Sequence, residues 1–223
     1  GRFLLKKGLD ATKDQSYVLY AMTQDQLAHT LFPLGGYTKK EIRQIAQEQG
    51  FINADKPDSQ DICFVPDGDY ASFIEKHTGE MFVPGSIVDE NGNKLGTHHG
   101  LVHYTIGQRK GLGIAAGEPL FVLDKDAETN TLVVGPSSSA GVTEVAASDV
   151  NLISVAEITE PIEVEVKVNY RAVPRKATVH MEGDTLIARF EEPVRAVAPG
   201  QALVMYQGDV VVGGGTIESA NKA

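Results

Sequence analysis

The sequence contains one cysteine, Cys63, no tryptophan, and more acidic than basic residues, so that its formal net charge is −10. A single cysteine excludes an internal disulfide framework and suits a reducing compartment. No apolar run approaches 18 residues and no signal peptide is recognisable. We therefore expect no membrane partner and a cytoplasmic location. The negative charge argues against a protein that binds nucleic acid over its whole surface.

The charge is unevenly distributed along the chain, however. Residues 1–53 carry seven Lys and Arg against five Asp and Glu, whereas residues 54–138 carry six against thirteen and residues 139–223 carry seven against twelve. A nucleic-acid surface would therefore have to be a local patch, most plausibly one that involves the N-terminal part.

Hydrophobic periodicity predicts helices in the first third of the chain. Residues 16–32 have apolar side chains at roughly helical spacing, which predicts one helix. Thr38 and Glu41 form a capping-box pattern before the apolar stripe of Ile42, Ile45 and Ala46, which predicts a second. A third is predicted over residues 69–79, with Asp69 or Asp67 as its cap.

After residue 80 the pattern becomes that of β-strands. Asn91-Gly92 predicts a hairpin with a type I′ turn, and further hairpins are predicted over residues 120–135 and around Gly183-Asp184. Residues 162–168 alternate between apolar and charged, as a half-buried strand does. The small polar stretch 136–144 resembles a linker. These patterns predict an α+β protein that ends in an antiparallel β-barrel or sandwich.

Cys63 lies in the stretch DSQDICFVPDG, among several carboxylates. A lone cysteine is commonly a small buried apolar residue, and that interpretation stays open. The other interpretation is a reactive thiol whose partner lies outside this chain. Nearby carboxylates raise the pKa of a thiol, so Cys63 does not resemble a self-activated nucleophile, although it could carry sulfur as a persulfide.

Three further stretches allow either a structural or a binding role. Lys13 precedes a predicted helix and could bind an anion, but Asp14 or Ser16 could simply cap that helix. The glycine-rich stretch GLVHYTIGQRKGLGI carries the pair Arg109-Lys110 and fits either a turn-rich connection or a phosphate-binding loop.

The third stretch, VNYRAVPRKA, places Tyr170 and Arg171 in an otherwise acidic region. An aromatic ring with basic neighbours can bind RNA, but solvated charges at a barrel rim explain the pattern equally well. His98, His99 and His103 lie close together without a nearby cysteine and do not form a convincing zinc set, so we predict no metal site in this chain.

Taken in order, the stretches KDQSYVLY, LFPLGGYTKKEIRQIA, KPDSQDICFV, HYTIGQRKGLGI and FEEPVRAVAPGQALVMY resemble the bacterial and mitochondrial tRNA 2-thiouridylases. The resemblance covers nearly the whole chain. It implies a transferase of tRNA modification that sulfurates C2 of the wobble uridine, U34, in tRNAs for Lys, Glu and Gln. In that family ATP, with Mg, adenylates the base, and persulfide sulfur supplied by a donor protein then displaces AMP.

The resemblance also implies site residues. Cys63 matches the second of two cooperating cysteines, the one that carries the persulfide and can form a disulfide bond with the first. The KDQ stretch, which contacts tRNA in the family, matches Lys13, Asp14 and Gln15. The other tRNA contacts of the family match Tyr170, Arg171 and Gln201.

The chain departs from the family pattern in one respect, because it has no SGGxDS loop and no first cysteine. We therefore expect a C-terminal portion that is inactive alone: a helical end of the nucleotide-binding domain with inserted helices (1–78), a small β-rich central domain (79–138) and a C-terminal β-barrel (139–223). The alternative is a non-catalytic RNA-binding barrel module in which Cys63 is structural.

Overall fold

The computed structural model describes residues 1–56, 65, 69–79 and 81–221. Contacts divide the chain into two compact units, one of Gly1–Lys56 with Val142–Ala223 and one of Pro57–Gly141. The division into three domains stays a prediction. No helix in the described part of the chain is both long and apolar enough to cross a membrane.

The first unit is built on a closed barrel of six antiparallel strands in the order β10-β5-β8-β7-β6-β9. This agrees with the predicted α+β class and C-terminal barrel. The strands are β5 (Val142–Leu152), β6 (Ile162–Lys167), β7 (Arg175–Glu182), β8 (Thr185–Val194), β9 (Ala202–Gln207) and β10 (Val210–Asn221).

Alternation along these strands fills the barrel interior. In β6, Val164 and Val166 are buried while Glu163 and Glu165 are exposed, as the period-two pattern predicts. The predicted hairpin at Gly183-Asp184 joins β7 to β8 and is confirmed, with Gly183 at φ 62°.

The N-terminal segment packs against the outside of the barrel. Leu5, Tyr17 and Leu27 form one buried cluster with the outward-facing side chains of the barrel strands and of the segment after β5. The strands contribute Val204, Tyr206 and Val211 to this cluster, and the segment after β5 contributes Ile153. The segment and the barrel thus share a hydrophobic core.

Glycine in β10 makes this close packing possible. A Cβ atom built on Gly214 would lie 2.4 Å from the Leu203 carbonyl oxygen and 2.7 Å from the Tyr20 ring. The Tyr20 ring therefore rests directly on the strand backbone, where no larger residue fits.

The single helix predicted over 16–32 is wrong. The structure has two short helices, α1 (Ser16–Leu19) and α2 (Gln24–Ala28). The helix is not continuous because Thr23 forms a capping box with Gln26, and this capping box starts the separate helix α2.

The helix α3 (Lys39–Glu48) begins at the predicted capping box of Thr38 and Glu41, which is confirmed. Its apolar stripe is not buried within this chain: Ile45 is 40% exposed. A helix α4 (Tyr70–Thr78) is capped by Asp69, as predicted.

The second unit contains a four-stranded sheet in the order β2-β1-β4-β3, with β1 and β4 parallel. Its strands are β1 (Gly85–Val88), β2 (Lys94–His98), β3 (Leu120–Asp126) and β4 (Thr131–Pro136). Both predicted hairpins, β1–β2 and β3–β4, are present. Short 3₁₀ helices at Leu101–His103 and Ser137–Ala140 complete the described elements.

The type I′ turn predicted at Asn91-Gly92 is wrong. The Gly92 N–H donates to the Asp89 carbonyl at 3.0 Å, and Gly92 but not Asn91 has positive φ. A type I′ turn requires positive φ at both central residues, whereas a type I turn followed by a left-handed glycine makes a three-residue loop. The Asp89 carboxylate stabilises the loop by accepting from the Asn91 and Asn93 N–H groups.

Candidate nucleic-acid interface

The loop that carries Lys13, Asp14 and Gln15 is held from both sides by aspartates. Asp10 accepts hydrogen bonds from Thr12 and, at 3.0 Å, from the Lys39 backbone N–H at the start of α3. The Lys39 bond is the largest cause that lowers the pKa of Asp10 below its usual value, and the Thr12 hydroxyl adds to it. The loop is therefore tied to the following helix.

Asp14 anchors the same loop to its own surroundings. Its Oδ1 accepts from the Gly8 N–H at 2.9 Å and from the Ser16 N–H at 3.2 Å, and its Oδ2 accepts from the Ser16 hydroxyl at 2.6 Å. Asp14 thus accepts from the first N–H of α1, although Gln15 occupies the N-cap position and makes no side-chain capping bond. Helix α1 has only four residues, so its N-terminus is not by itself an anion site.

Gln15 connects this loop to the barrel. Its Nε2 donates to the Tyr170 hydroxyl at 2.8 Å, across 155 positions of sequence. The Tyr170 ring meets the Tyr17 ring edge-on, with centroids 5.9 Å apart. Tyr17 in turn donates its hydroxyl hydrogen to the Ala202 carbonyl at 2.7 Å. Two stretches that the sequence treats separately, residues 13–15 and 170–171, are therefore neighbours.

Burial dominates the chemistry of Tyr17. It raises the pKa of the Tyr17 hydroxyl to about 12. Tyr17 is 5% exposed, so it supports Tyr170 from beneath rather than facing a ligand. Tyr170 itself is 44% exposed and can present a ring face.

Lys167 lies at the end of β6 against these rings. Its ammonium donates to the Tyr170 carbonyl at 2.9 Å and lies 5.4 Å from the Tyr17 centroid and 5.7 Å from the Tyr170 centroid. Burial lowers the pKa of Lys167, and nearby Lys7 lowers it further, while Asp14 acts in the opposite direction. Lys167 therefore fixes the backbone of the loop that presents Tyr170.

The remaining site residues of this surface are exposed. Lys13, Arg171 and Gln201 all lie at the surface. The Arg171 N–H donates to the Asn169 side chain at 3.1 Å, which shapes the loop after β6. Gln201 stands in a turn with Gly200 at φ 81°, directly before the Ala202 that binds Tyr17.

Arg109 and Lys110 belong to the second unit and are exposed there. Gln108 braces their loop from inside: its Oε1 accepts from the Thr105 N–H at 3.0 Å, and its Nε2 donates to the Lys110 carbonyl at 2.9 Å. The backbones of Gly107 and Gln108 pair with Val122 of β3. The loop is thus a braced turn that presents two cations.

Two other candidates have different outcomes. Cys63 lies outside the described residues. His98 is fully buried, with Nδ1 accepting from the Gly100 N–H and Nε2 facing the Asn130 carbonyl, so both ring nitrogens are used within the fold. Among the described residues no group of three or more His, Cys, Asp or Glu is placed to hold a metal ion.

Comparison with known proteins gives consistent matches along the chain. Three domain models match in succession: a tRNA methyl transferase HUP domain at residues 1–67, a tRNA methyl transferase PRC-barrel domain at 71–136 and an aminomethyltransferase β-barrel domain at 142–217. The chain is 53% identical over 218 residues to the tRNA-specific 2-thiouridylase MnmA of Lachnoclostridium phytofermentans, covering 97% of this chain and 61% of that protein. It is 50% identical over 221 residues to MnmA of Clostridioides difficile, covering 99% and 61%.

The chain belongs to the tRNA-specific 2-thiouridylase family. It spans about 61% of the length of these 2-thiouridylase relatives. The domain models are described by methyl transfer, whereas the relatives, which align over nearly the whole chain at half identity, are named for thiolation.

Sequence reasoning missed four residues that contact one another or the candidate residues on this surface: Lys7, Tyr17, Lys167 and Tyr206. Tyr17 and Tyr206 resemble ordinary buried residues in the sequence, and their contacts with this surface arise only when the N-terminal segment packs on the barrel. Lys167 did carry a local signal, because it replaces glutamate in the outward-facing series Glu163, Glu165 of β6.

Proposed function

We propose that the chain is part of a tRNA 2-thiouridylase that sulfurates C2 of the wobble uridine, U34, and that it supplies the persulfide cysteine and much of the tRNA-binding surface. The name of its relatives supports tRNA as the partner. The acceptors that the family resemblance implies are tRNAs for Lys, Glu and Gln.

One observation is the main support for the proposed tRNA-binding surface. The hydrogen bond from Gln15 to Tyr170 joins the two stretches that the resemblance assigns to tRNA contact. Residues that bind one ligand must lie within reach of that ligand, and this bond brings the two stretches together. If the residues were only structural, we would not expect exposed cations to cluster beside an exposed aromatic ring in a chain of charge −10.

The chemistry of each side chain suggests its role. Lys13 and Arg171 are exposed cations suited to phosphate. Tyr170 offers a ring on which an unpaired base can stack. Gln201 can donate and accept hydrogen bonds at a base edge or a ribose, whereas Asp14 holds the loop in shape.

Cys63 is proposed to carry the transferred sulfur as a persulfide. Its terminal sulfur forms the bond to C2 of the activated uridine, the bond from C2 to the adenylated oxygen breaks, and AMP leaves. The other cysteine of the family, which this chain lacks, then attacks Cys63 Sγ, so that the S–S bond of the persulfide breaks, a disulfide forms between the two cysteines and the sulfur stays on the uridine. A dithiol reductant must restore both thiols before the next turnover. The sulfur reaches Cys63 from a donor protein. A thiol is needed because a serine hydroxyl cannot hold sulfane sulfur.

The residues of this chain do not fit ATP and Mg. The sequence lacks an SGGxDS loop, and the described residues offer no set of metal ligands. We therefore assign adenylation to no residue of this chain. Arg109 and Lys110, on their braced loop, are proposed as a second phosphate contact with the tRNA.

The decisive experiment changes Cys63 to Ser in a protein that includes the adenylating domain. We expect sulfur incorporation to be lost while the AMP adduct of the uridine still forms, because only sulfur transfer needs the thiol. Single-turnover assays of both products, with the melting temperature measured in parallel, distinguish the steps.

A purely structural cysteine gives another result. Serine is nearly isosteric, so a packing defect would lower the melting temperature and weaken both steps together. Sulfur incorporation near the wild-type rate in the Cys63→Ser protein would remove the persulfide role and leave an RNA-binding module.

A further inference from the structure

Two lysines on one surface of the first unit have no ion-pair partner among the described residues. Lys7 and Lys167 are each half-buried. Lys7 donates to the Gly208 carbonyl at 2.9 Å and lies 4.4 Å above the Tyr206 ring, while Lys167 donates to the Tyr170 carbonyl. Both ammonium groups are thus held by a carbonyl and by aromatic faces, and neither has a carboxylate within 4.0 Å.

The strand register places both lysines on the same outer surface. Lys167 of β6 lies opposite Val204 of β9, and Tyr206 lies two residues further along β9 on that face. Lys7 covers Tyr206. Burial is the largest cause that lowers the pKa of Lys167; the charge of Asp14 raises it, and that of Lys7 lowers it by a smaller amount.

Two of the three acidic groups near the pair are bound within the fold. Both oxygens of Asp14 accept hydrogen bonds, from Gly8 and from Ser16. Asp209 is bound by Lys6 at 3.0 Å. Glu165, the third, lies on the same outer face of β6 as Lys167, opposite Tyr206 of β9 and Lys176 of β7, and forms no ion pair with Lys7 or Lys167.

Half-buried ammonium groups that repel each other are costly unless an anion joins them. The neighbouring Lys6, by contrast, is paired with Asp209. A protein with 30 acidic and 20 basic residues has carboxylates in excess, so two unpaired lysines beside Gln15 and Tyr170 indicate a ligand that brings its own negative charge.

We propose that Lys7 and Lys167 form a phosphate-binding pair that holds the nucleic-acid backbone while Tyr170 receives a base. The inference rests on the proposed tRNA-binding function and adds two residues to it. The carbonyl bonds fix each ammonium in place, so the pair is arranged before the ligand arrives. The occupant is a phosphodiester group, for which a lysine serves as a point charge.

The test uses the full chain and changes each lysine to methionine, which keeps the apolar stem and removes the charge. Lys94→Met, an exposed lysine of the second unit, is the matched control. The affinity for a tRNA transcript is measured by fluorescence anisotropy at several salt concentrations. We expect each change to weaken binding about 5- to 10-fold and to reduce the slope of log K against log salt by about 0.7 to 0.9.

Rescue separates charge from shape. Lys167→Arg should recover most of the affinity, because the charge remains. Lys94→Met should leave both the affinity and the salt slope near those of the wild type. Unchanged melting temperatures identify the losses as binding effects.

Inorganic phosphate gives a second, independent readout. The side-chain NH₃⁺ signals of Lys7 and Lys167 should shift together on titration, and that of Lys94 should not. If tRNA binds and Arg171→Ala weakens it while both lysine variants keep their affinity and slope, the pair is wrong and the proposed function survives. If no tRNA binds but phosphate shifts the signals of both lysines, the pair is an anion site and the proposed tRNA surface is wrong. If phosphate shifts neither signal and no tRNA binds, the lysine pair and the proposed tRNA surface are both refuted.

Discussion

At the scale of single residues, tyrosines do most to join the N-terminal loop to the barrel. Tyr17 is buried beneath Tyr170 and bonded to Ala202, and Tyr206 lies beneath Lys7 with its hydroxyl 3.4 Å from that of Ser16. Burial raises the pKa of both hydroxyls, and that of Tyr17 reaches about 12. These protons are therefore coupled to folding.

Stability should fall with pH in the alkaline range for this reason. The unfolded chain releases the Tyr17 proton near pH 10, whereas the folded chain keeps it up to about pH 12. The contribution is complete below pH 10 and is lost as the pH rises through 12. Two pH units correspond to about 2–3 kcal/mol. Urea unfolding at pH 9 and pH 11.5 measures the part of this loss, about 2 kcal/mol, that falls between those pH values.

Tyr17→Phe is the control for this titration. The variant should be less stable at pH 9 by about 1 kcal/mol, because the hydroxyl bond to Ala202 is missing. Its stability should then depend less steeply on alkaline pH, with the remainder coming from groups such as Tyr206. Equal pH dependence in both proteins would show that Tyr17 ionises without unfolding.

Tyr170 allows the hydrogen bond to be separated from the ring. Tyr170→Phe loses the 2.8 Å bond from Gln15 and should cost less than about 1 kcal/mol of stability, because the bond is exposed. Tyr170→Ala also removes the stacking surface and should lower tRNA affinity by about 1–3 kcal/mol. Anisotropy titrations compare the two, with the exposed Tyr37→Ala as matched control. An affinity of Tyr170→Ala equal to that of the control would exclude base stacking here.

At the scale of elements, the sequence predicts structure that depends on neighbouring residues, but not contacts between residues that are far apart in the chain. The strand β6 and the hairpin at Gly183-Asp184 follow from period-two alternation and turn residues that lie side by side in sequence. The helix predicted over 16–32 failed because the capping box at Thr23 outweighs the apolar spacing. Of the candidate site, the basic and aromatic stretches were visible, but the bond between Gln15 and Tyr170 depends on barrel closure and leaves no local pattern.

The strand β10 makes a prediction about packing between elements. A methyl group on Gly214 would contact the Leu203 carbonyl and the Tyr20 ring, neither of which can move freely. Gly214→Ala should therefore destabilise the first unit by about 1–3 kcal/mol, as overpacking does. Gly36→Ala, where the added methyl group meets nothing within 4 Å, should change stability by less than about 0.5 kcal/mol.

Thermal unfolding of the two glycine variants decides this prediction. If Gly214→Ala is as stable as Gly36→Ala, the Tyr20 ring does not rest on the strand in solution. Near-ultraviolet circular dichroism adds a local readout, because displacement of Tyr20 changes the tyrosine signal.

At the scale of the whole molecule, the barrel shares one compact unit with the N-terminal segment. Residues 1–56 and 142–223 form one compact unit although 85 positions separate them in sequence. The small polar stretch 136–144 predicted a linker before the barrel, and it could not reveal that Val204, Tyr206 and Val211 face outward under the N-terminal segment. The surface proposed for tRNA exists only where the two segments meet, since Gln15 comes from one and Tyr170 from the other.

The isolated segment 142–223 should therefore be much less stable than the same segment within the full chain. Leu5, Tyr17 and Leu27 cover its outward-facing apolar side chains, and burying a large apolar side chain contributes about 1.5–3 kcal/mol, so removing the three covers should cost roughly 5 kcal/mol. Adding residues 1–56 as a separate peptide should restore stability in proportion to peptide concentration, as binding to the folded state requires. Urea unfolding of 142–223 with and without the peptide measures both effects, and a peptide with Leu5→Asp and Leu27→Asp is the matched control. A segment 142–223 that unfolds at the same urea concentration with either peptide as without one would show that the barrel folds independently and that the shared core contributes nothing to it.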